Sequence, residues 1–365
     1  MAAVTLISKL AVEKDWKFLV SNYDVSEGTS IFRYMPLDTN DRGRNWKMAT
    51  NSKTKKDIAP IIAPGTTLPE SEKGTTEWMR GELPKIGKKF SMDDDELMEF
   101  QEAINHAANE SQAVELIMET MDNFIDKAIK SVQTRLDWMG YQSMSRGIIR
   151  LTAENNSGIV ADEDVDYQMD QRGRYGTAWT NKADAKPITC DFRKAVREGR
   201  TVGRRYRYAW MSANTFALFA STDEVIKLSA SFATNFLGAA YTPDINAVNT
   251  ALRGRADLYG LQINVVDEDI DGKNPFIDGV VLFTETEELG ETHWTTPPDM
   301  KAESAGVWRT MNSFICLKKW ASEDPLVDYT AGVAYAFPAF AASQRAMLLD
   351  VLNEQWHEGG DLTEF

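Results

Sequence analysis

The sequence predicts an α+β protein with more than one packed lobe, and three observations carry that prediction. Val114, Met118, Met121, Ile125, Ala128, Val132, Leu136 and Met139 recur at steps of four and three within Ser111–Met139. That spacing puts them on one face of a single long helix. Gly147–Thr152 and Gly158–Tyr167 flank the tip ENNSG, whose Asn and Gly tolerate positive φ, so the pair reads as a β-hairpin. Beyond Pro187, strand-like and helix-like segments interleave, as in a mixed α/β lobe. At 365 residues and 43% hydrophobic content, the chain is long for one core and too apolar to be disordered.

The elements follow in order. Residues 1–44 alternate short apolar runs with polar loops, as a terminal arm does. The opening MAAVTLISKLAVEKDW fits an amphipathic arm or a docked terminal helix equally well. It lacks the basic start and small-residue cleavage site of a signal peptide. Residues 45–90 change composition. They hold Pro60, Pro64, Pro69 and Pro84 and the lysines Lys53, Lys55, Lys56, Lys73, Lys85, Lys88 and Lys89. Apolar runs at Ile58–Ile62 and Trp78–Ile86 predict two strands of a long hairpin that reaches for a partner, since a compact domain rarely carries so long a loop. Ser91 is placed as the cap of the next helix, with Asp93, Asp94 and Asp95 on its positive N-terminal end. The helix Ser111–Met139 should carry an Asp126–Lys130 pair and stop at Gly140.

Next comes the hairpin 147–167. Asp191 is read as the cap of a short helix through Val196, Arg204–Trp210 as a strand, Ser212 as a helix cap, and Ser221–Glu224 as a capping box. Thr242–Pro243–Asp244 opens a helix with Pro in its first turn. That helix buries Ile245, Val248, Leu252, Ala256 and Tyr259 and ends at Gly260. Leu261, Ile263 and Val265 alternate as a strand, and Gly279–Phe283 is another. No internal repeat is present.

The formal charge of -15 and a pI near 4.8 argue against a protein that wraps nucleic acid, because phosphates would repel the chain as a whole. An acidic container that must not stick to enclosed DNA is consistent with this balance. Cys190 and Cys316 form no CxxC pair, which fits a reducing compartment and excludes a disulfide framework. No stretch reaches the roughly 18 apolar residues of a membrane span.

Reactive chemistry has few candidates. Asp267, Asp269, Asp271 and Gly272, with Asp278 at the twelfth place, imitate a calcium loop. The flanking QINVV and GVVLF are strands, whereas that loop needs helices. Asp162, Glu163, Asp164 and Asp166 could pair as acid and base, but adjacent carboxylates commonly blunt an exposed strand edge. His106, His293 and His357 show no metal or triad spacing, and no phosphate-binding glycine loop is present. No cofactor is predicted. The one basic cluster is Arg193, Arg197, Arg200, Arg204, Arg205 and Arg207, interleaved with Tyr206, Tyr208 and Trp210. It suits nucleic-acid contact or, given the acid excess, bidentate pairing with neighbouring copies.

Five segments, in order, resemble the tailed-phage major capsid proteins of the lambda-like capsid E family: Val165–Tyr167 with Trp179 and Ala183–Pro187; Tyr208–Leu218; Tyr259–Val266; Asp271–Gly272 with Gly279–Leu282; and Asp324–Pro325. The resemblance covers roughly residues 55–340 and departs at Gln168, where the family tends to have Gly. It implies the tailed-phage and herpesvirus capsid fold: arm 1–44, extended loop 45–90, peripheral domain 91–186 with spine helix 111–139, axial domain 187–305, and a return to the peripheral domain over 306–365.

It also implies a non-enzymatic subunit of an icosahedral shell around double-stranded DNA, made of pentamers and hexamers. Such a subunit assembles in the host cytoplasm and works with scaffolding, portal and decoration proteins. It touches no membrane and encloses DNA without reading its sequence. The residues expected at subunit contacts are Lys53, Lys55, Lys56, Trp78, Arg80, Arg193, Arg197, Arg204, Arg205 and Arg207. The competing readings are a carboxylate- or metal-dependent hydrolase built on the acidic loops, and a cellular nanocompartment shell of the encapsulin type.

Overall fold

The computed structural model describes residues 13–25, 28–41, 43–51, 76–151, 165–169, 171–230, 242–270 and 272–352. Its elements begin with α1 (Glu13–Ser21), β1 (Asn45–Asn51), β2 (Thr76–Glu82), β3 (Lys85–Met92), α2 (Asp94–Asn105) and α3 (Glu110–Arg146). Then come β4 (Ile148–Ile149), β5 (Val165–Asp166), β6 (Arg172–Gly173), a π-helical turn at Pro187–Phe192, α4 (Arg193–Thr201) and β7 (Tyr208–Ser212). They continue with α5 (Ala213–Ala220), α6 (Asp223–Ala230), α7 (Ile245–Arg253), β8 (Gln262–Val266), β9 (Val280–Thr284) and β10 (Glu291–Thr295). The last are β11 (Trp308–Asn312), β12 (Ile315–Glu323), β13 (Leu326–Ala339) and β14 (Met347–Asp350). Packing divides the chain into two units. One comprises Met1–Trp46, Arg80–Met139 and Glu291–Ala339, the other Lys47–Met79, Gly140–Gly290 and Phe340–Phe365.

The first unit is an antiparallel sheet with a helix laid on it. Strand β13 pairs with β12, β10 and β3, and β12 pairs with β11. The β12–β13 turn contains a cis Asp324–Pro325 peptide. On α3, the buried stripe runs Ile117, Met121, Ile125, Ala128, Val132, Leu136 and Met139, as helical periodicity requires. Val114 is 49% exposed, so the stripe starts one turn later than its spacing suggests. Helix and sheet meet at Gly332, where an added Cβ would lie 2.6 Å from the Ala128 carbonyl oxygen. Glycine is therefore required for this approach. Beside the seam, Lys319 Nζ pairs with Asp328 Oδ2 at 3.1 Å, with both side chains buried. A small cavity lined by Met92, Thr120, Met121, Phe124 and Thr330 adjoins that pair. The Asp126–Lys130 pair forms at 2.8 Å.

The described part of residues 1–44 packs within this unit. Trp16 is fully buried and its ring lies 6.3 Å from that of Trp308. Asn312 Nδ2 donates to the carbonyls of Val20 and Tyr23 at 2.7 and 2.8 Å. Gln133 Nε2 donates to Val25 O, and Ile31 N–H donates to Asp137 Oδ1, both at 2.8 Å.

The second unit is a mixed sheet in the order β6-β14-β9-β7-β8, with β7 and β8 parallel and joined through α5, α6 and α7. Its core centres on Trp179, Phe192, Tyr206, Phe219 and Phe283. The Trp179 ring lies 5.3 Å from Phe219 and 6.0 Å from Phe192.

Several local expectations are corrected. Helix α3 does not stop at Gly140 but continues to Arg146. Tyr141, Gln142, Ser143, Met144 and Ser145 are all buried there, and such burial outweighs the roughly 1 kcal/mol that one interior glycine costs. The left-handed residue that ends the helix is Gly147, at φ 71. The cap of α2 is Asp93, not Ser91, in a reciprocal box with Glu96; Ser91 belongs to β3. The Ser221–Glu224 box is replaced, because the Glu224 carboxylate instead accepts from the N–H groups of Ile188 and Thr189. Asp244 caps α7, so Pro243 precedes that helix, which ends at Arg253 well short of Gly260. The strand expected at Arg204–Trp210 occupies Tyr208–Ser212. The Trp78–Ile86 run divides at Leu83–Pro84 between β2 and β3. Of the 147–167 hairpin, the described residues show only the β4–β5 pair. Its tip and Ile58–Ile62 lie outside the described residues.

Asp191 is not a helix cap. It sits in the π-helical turn, buried, and its Oδ2 accepts from Trp179 Nε1 at 2.7 Å. Burial pushes its carboxyl up from 3.8 to about 6, with Glu224 adding to the rise, while Trp179, the Gly176 N–H and Lys194 oppose it. A raised folded-state value means that the folded chain holds this proton more tightly than the unfolded chain. This group's contribution to stability is therefore full below about pH 4 and is lost as pH rises through about 6. Asp191→Asn keeps an acceptor for Trp179 and removes the titration. The variant's melting temperature should match wild type on the acid side of this window and exceed it at neutral pH. A constant difference across the window would contradict the assignment.

Candidate interaction surfaces

The arginine cluster belongs to the second unit. Helix α4 presents Arg193, Arg197 and Arg200 because its other face buries Ala195, Val196 and Gly199. Just before β7, Arg205 and Arg207 are exposed and Tyr206 is buried, the alternation of an extended segment. Arg204 differs from the rest in being buried. Tyr259, at a left-handed backbone position, lies beneath two of the cations: Arg205 is 4.9 Å and Arg200 6.0 Å from its ring centre. Ring and guanidinium groups at this range attract electrostatically. Arg193 approaches Asp257 at 4.0 Å, and Arg255 already holds that carboxylate. The result is a folded cationic ridge with guanidinium edges free of the core. Sequence spacing identifies the arginines but not Tyr259, which lies some fifty positions later.

The acidic calcium-like loop is divided between two structural jobs. Asp269 Oδ1 accepts the Gly272 N–H at 2.6 Å, closing a turn. Asp278 accepts from Ser212 Oγ and from Asn214 Nδ2, so it anchors the start of α5. Among the described residues, Asp267, Asp269 and Asp278 do not converge on one point; Asp271 lies outside them. Of the Asp162–Asp166 run, only Asp166 is described, and its Oδ1 accepts the Gln168 N–H. Lys53, Lys55 and Lys56 also lie outside the described residues, and Trp78 and Arg80 are placed only as backbone of β2.

Among the described residues of the first unit, Phe18, Met98, Val114 and Leu326 are large apolar side chains that stand outward. Phe18 on α1 is 62% exposed and Met98 on α2 is 60% exposed. Helix α2 has no fully buried residue. Its Leu97, Phe100 and Ile104 are half-buried within the chain, so the apolar edge it offers elsewhere is at Met98. From Asp93 to Asp126 the sequence carries many acids and no Lys or Arg, so that offer is framed by negative charge.

The surfaces thus comprise a cationic ridge, an acidic apolar-edged helix pair, and carboxylates tied into turns and caps. Comparison with known proteins decides among the readings. The profile of the family described as phage major capsid protein E matches residues 48–344.

The chain belongs to that family.

It is a structural, non-enzymatic capsid protein of the phage virion shell, built to associate with copies of itself. Among solved structures, one named as a capsid protein of an Escherichia coli CFT073 prophage shares the fold. Its TM-score is 0.57 at 14% identity, with 96% of this chain and 99% of that one covered. A phage-related protein from Bordetella bronchiseptica RB50 aligns over 95% of this chain and 99% of its own, at 11% identity and a TM-score of 0.49. No curated protein matches the chain. No helix among the described residues is long and apolar enough to cross a membrane.

Proposed function

We propose that this capsid protein tiles an icosahedral shell of pentamers and hexamers around double-stranded phage DNA. The family match over residues 48–344 carries the proposal. In this reading residues 1–44 are an arm, 45–90 an extended loop, 91–186 a peripheral domain, 187–305 an axial domain and 306–365 the returning segment. By packing, residues 140–186 group with 187–290, and strand β3 pairs with β13 in the antiparallel sheet. The loop is rich in lysine, whereas the outward face of α2 and of the first turns of α3 is acidic. Opposite charge between copies sets register and speeds encounter more than it adds affinity. Lys53, Lys55, Lys56, Trp78 and Arg80 would therefore meet the acidic helices of a neighbour. Arg193, Arg197, Arg205 and Arg207 would meet carboxylates of another copy, and buried Arg204 would hold their backbone. Heterologous contacts of this kind close into rings, and many weak ones suffice in a closed shell. The net negative charge disfavours adhesion to the packaged DNA. Scaffolding, portal and decoration proteins and assembly in the host cytoplasm complete the proposal.

The test is electron microscopy of particles formed by the full chain beside a chain lacking Asn51–Lys73. The deletion should leave folded subunits, seen as an unchanged melting transition, and no closed particles. Normal particles from the deletion would refute the loop's role. A wild-type chain that stays solitary in its native setting would refute the tiling itself.

A further inference from the structure

Asp38 and His293 are both more than nine-tenths buried, and with Glu291 they place three potential ligand atoms within 4.8 Å of one another. We propose that these three residues of the first unit form a binding site for a divalent transition-metal ion of the zinc class, which staples the arm to strand β10.

The proposal starts from strand geometry. Glu291 and His293 are two residues apart on β10, so their side chains leave the same face. The arm then runs alongside. Leu37 forms a parallel bridge with Thr292, the Thr292 N–H donates to Pro36 O at 2.8 Å, and the Asp38 N–H donates to Thr292 O at 2.9 Å. Trp294 Nε1 donates to Asp38 O at 2.7 Å. These bonds hold the Asp38 backbone on both sides of its carboxylate. The imidazole is packed as well: its ring centre lies 6.1 Å from that of Trp46, which stacks on Phe337 at 5.4 Å. Two donors are thus set in place before any ion arrives, and Glu291, on the exposed rim, closes the set.

The spacing agrees with a coordination shell. His293 Nδ1 lies 3.4 Å from Asp38 Oδ2. A charge-assisted N–H···O bond would draw them to about 2.7–2.9 Å. Zinc holds nitrogen and carboxylate oxygen at about 2.0–2.2 Å, which puts neighbouring tetrahedral ligands about 3.3–3.5 Å apart. One nitrogen and two carboxylate donors suit zinc, cobalt or nickel rather than calcium, which takes six to eight oxygens. Water would occupy the remaining position. Because the ion would bridge the arm and β10, its free energy of binding would stabilise the fold. The role is structural and does not depend on the shell reading.

The test uses the full chain, stripped of metal with a chelator and then freed of it. Zinc chloride is titrated in by calorimetry, and cobalt absorption serves as a second readout. One ion per chain is expected, with a raised melting temperature that the chelator reverses. His293→Ala and Asp38→Asn should each weaken uptake more than about 100-fold, since even outer-shell partners are worth about 10–100-fold. Glu291→Gln, at an exposed position, should fold normally and bind more weakly, which keeps the test valid if a core variant fails to fold. His106→Ala combined with His357→Ala should bind as wild type does. Absence of uptake by wild type, or equal uptake by wild type and Glu291→Gln, would overturn the site and leave a plain His–Asp pair.

Discussion

Trp179→Ala should cost about 3–5 kcal/mol and shift the unfolding transition of the second unit to clearly lower denaturant. The indole is fully buried against Phe192 and Phe219. Its removal opens a cavity that the surrounding aromatic rings cannot fill by relaxing. A polar cost adds to this, because Nε1 donates to the buried Asp191 carboxylate, and a buried acceptor that loses its partner costs about 1–3 kcal/mol. Trp179→Phe separates the two contributions. It keeps most of the ring packing and loses only the donor, so it should fall between wild type and Ala. Equilibrium unfolding followed by far-ultraviolet circular dichroism makes the measurement without relying on the lost fluorophore. If Phe is as damaging as Ala, the hydrogen bond rather than the packing holds this corner. If Ala is tolerated, Trp179 is not the keystone of the unit's core.

Gly332→Val should be at least as severe in the first unit, at or above the roughly 3 kcal/mol upper end for overpacking. A Cβ at this position would stand 2.6 Å from a backbone oxygen of α3. That atom belongs to a helix anchored along a buried stripe, so it cannot swing away as a side chain can. Gly332→Ala already creates the clash, and Val adds two methyl groups to it. The expected readout is loss of soluble chain, or a melting transition far below that of wild type. A compensating change cannot come from a side chain, because Ala128 has none beyond Cβ. Normal melting of Gly332→Ala would show that helix and sheet are less tightly apposed than described.

Much of the architecture is legible locally. The apolar stripe of α3 follows from a period of 3.6: Met121, Ile125, Ala128, Val132, Leu136 and Met139 are buried as the spacing selects, and Ile129, Gln133 and Trp138, which it does not select, are buried beside them. Ser212 caps α5, as short polar side chains before apolar runs do. The strand near Leu261–Val265 follows from alternation, and that near Gly279–Phe283 from a short continuous apolar run. What failed were choices between nearby options of similar local energy. Ser91 and Asp93 are both good caps, and only Asp93 has Glu three residues on. Gly140 and Gly147 are both plausible stops, and the burial of Tyr141 and Met144 decides for Gly147. Asp191 and Glu224 look like caps but serve partners from other elements. The arginines stand out as a run, whereas Tyr259 beneath Arg200 and Arg205, and Asp38 beside His293, come from distant parts of the chain.

The amino-acid order alone determined the class of the protein, the long helix, the cap of α5, the acid excess and the family signature. Each of these depends on residues within a few positions of one another, or on composition, and such terms act before any tertiary contact exists. Only the tertiary structure decided where Asp191 finds its donor, why residue 332 must be glycine, and which carboxylate faces His293. Those pairings join segments tens to hundreds of residues apart, and no local preference specifies them until the sheets have closed.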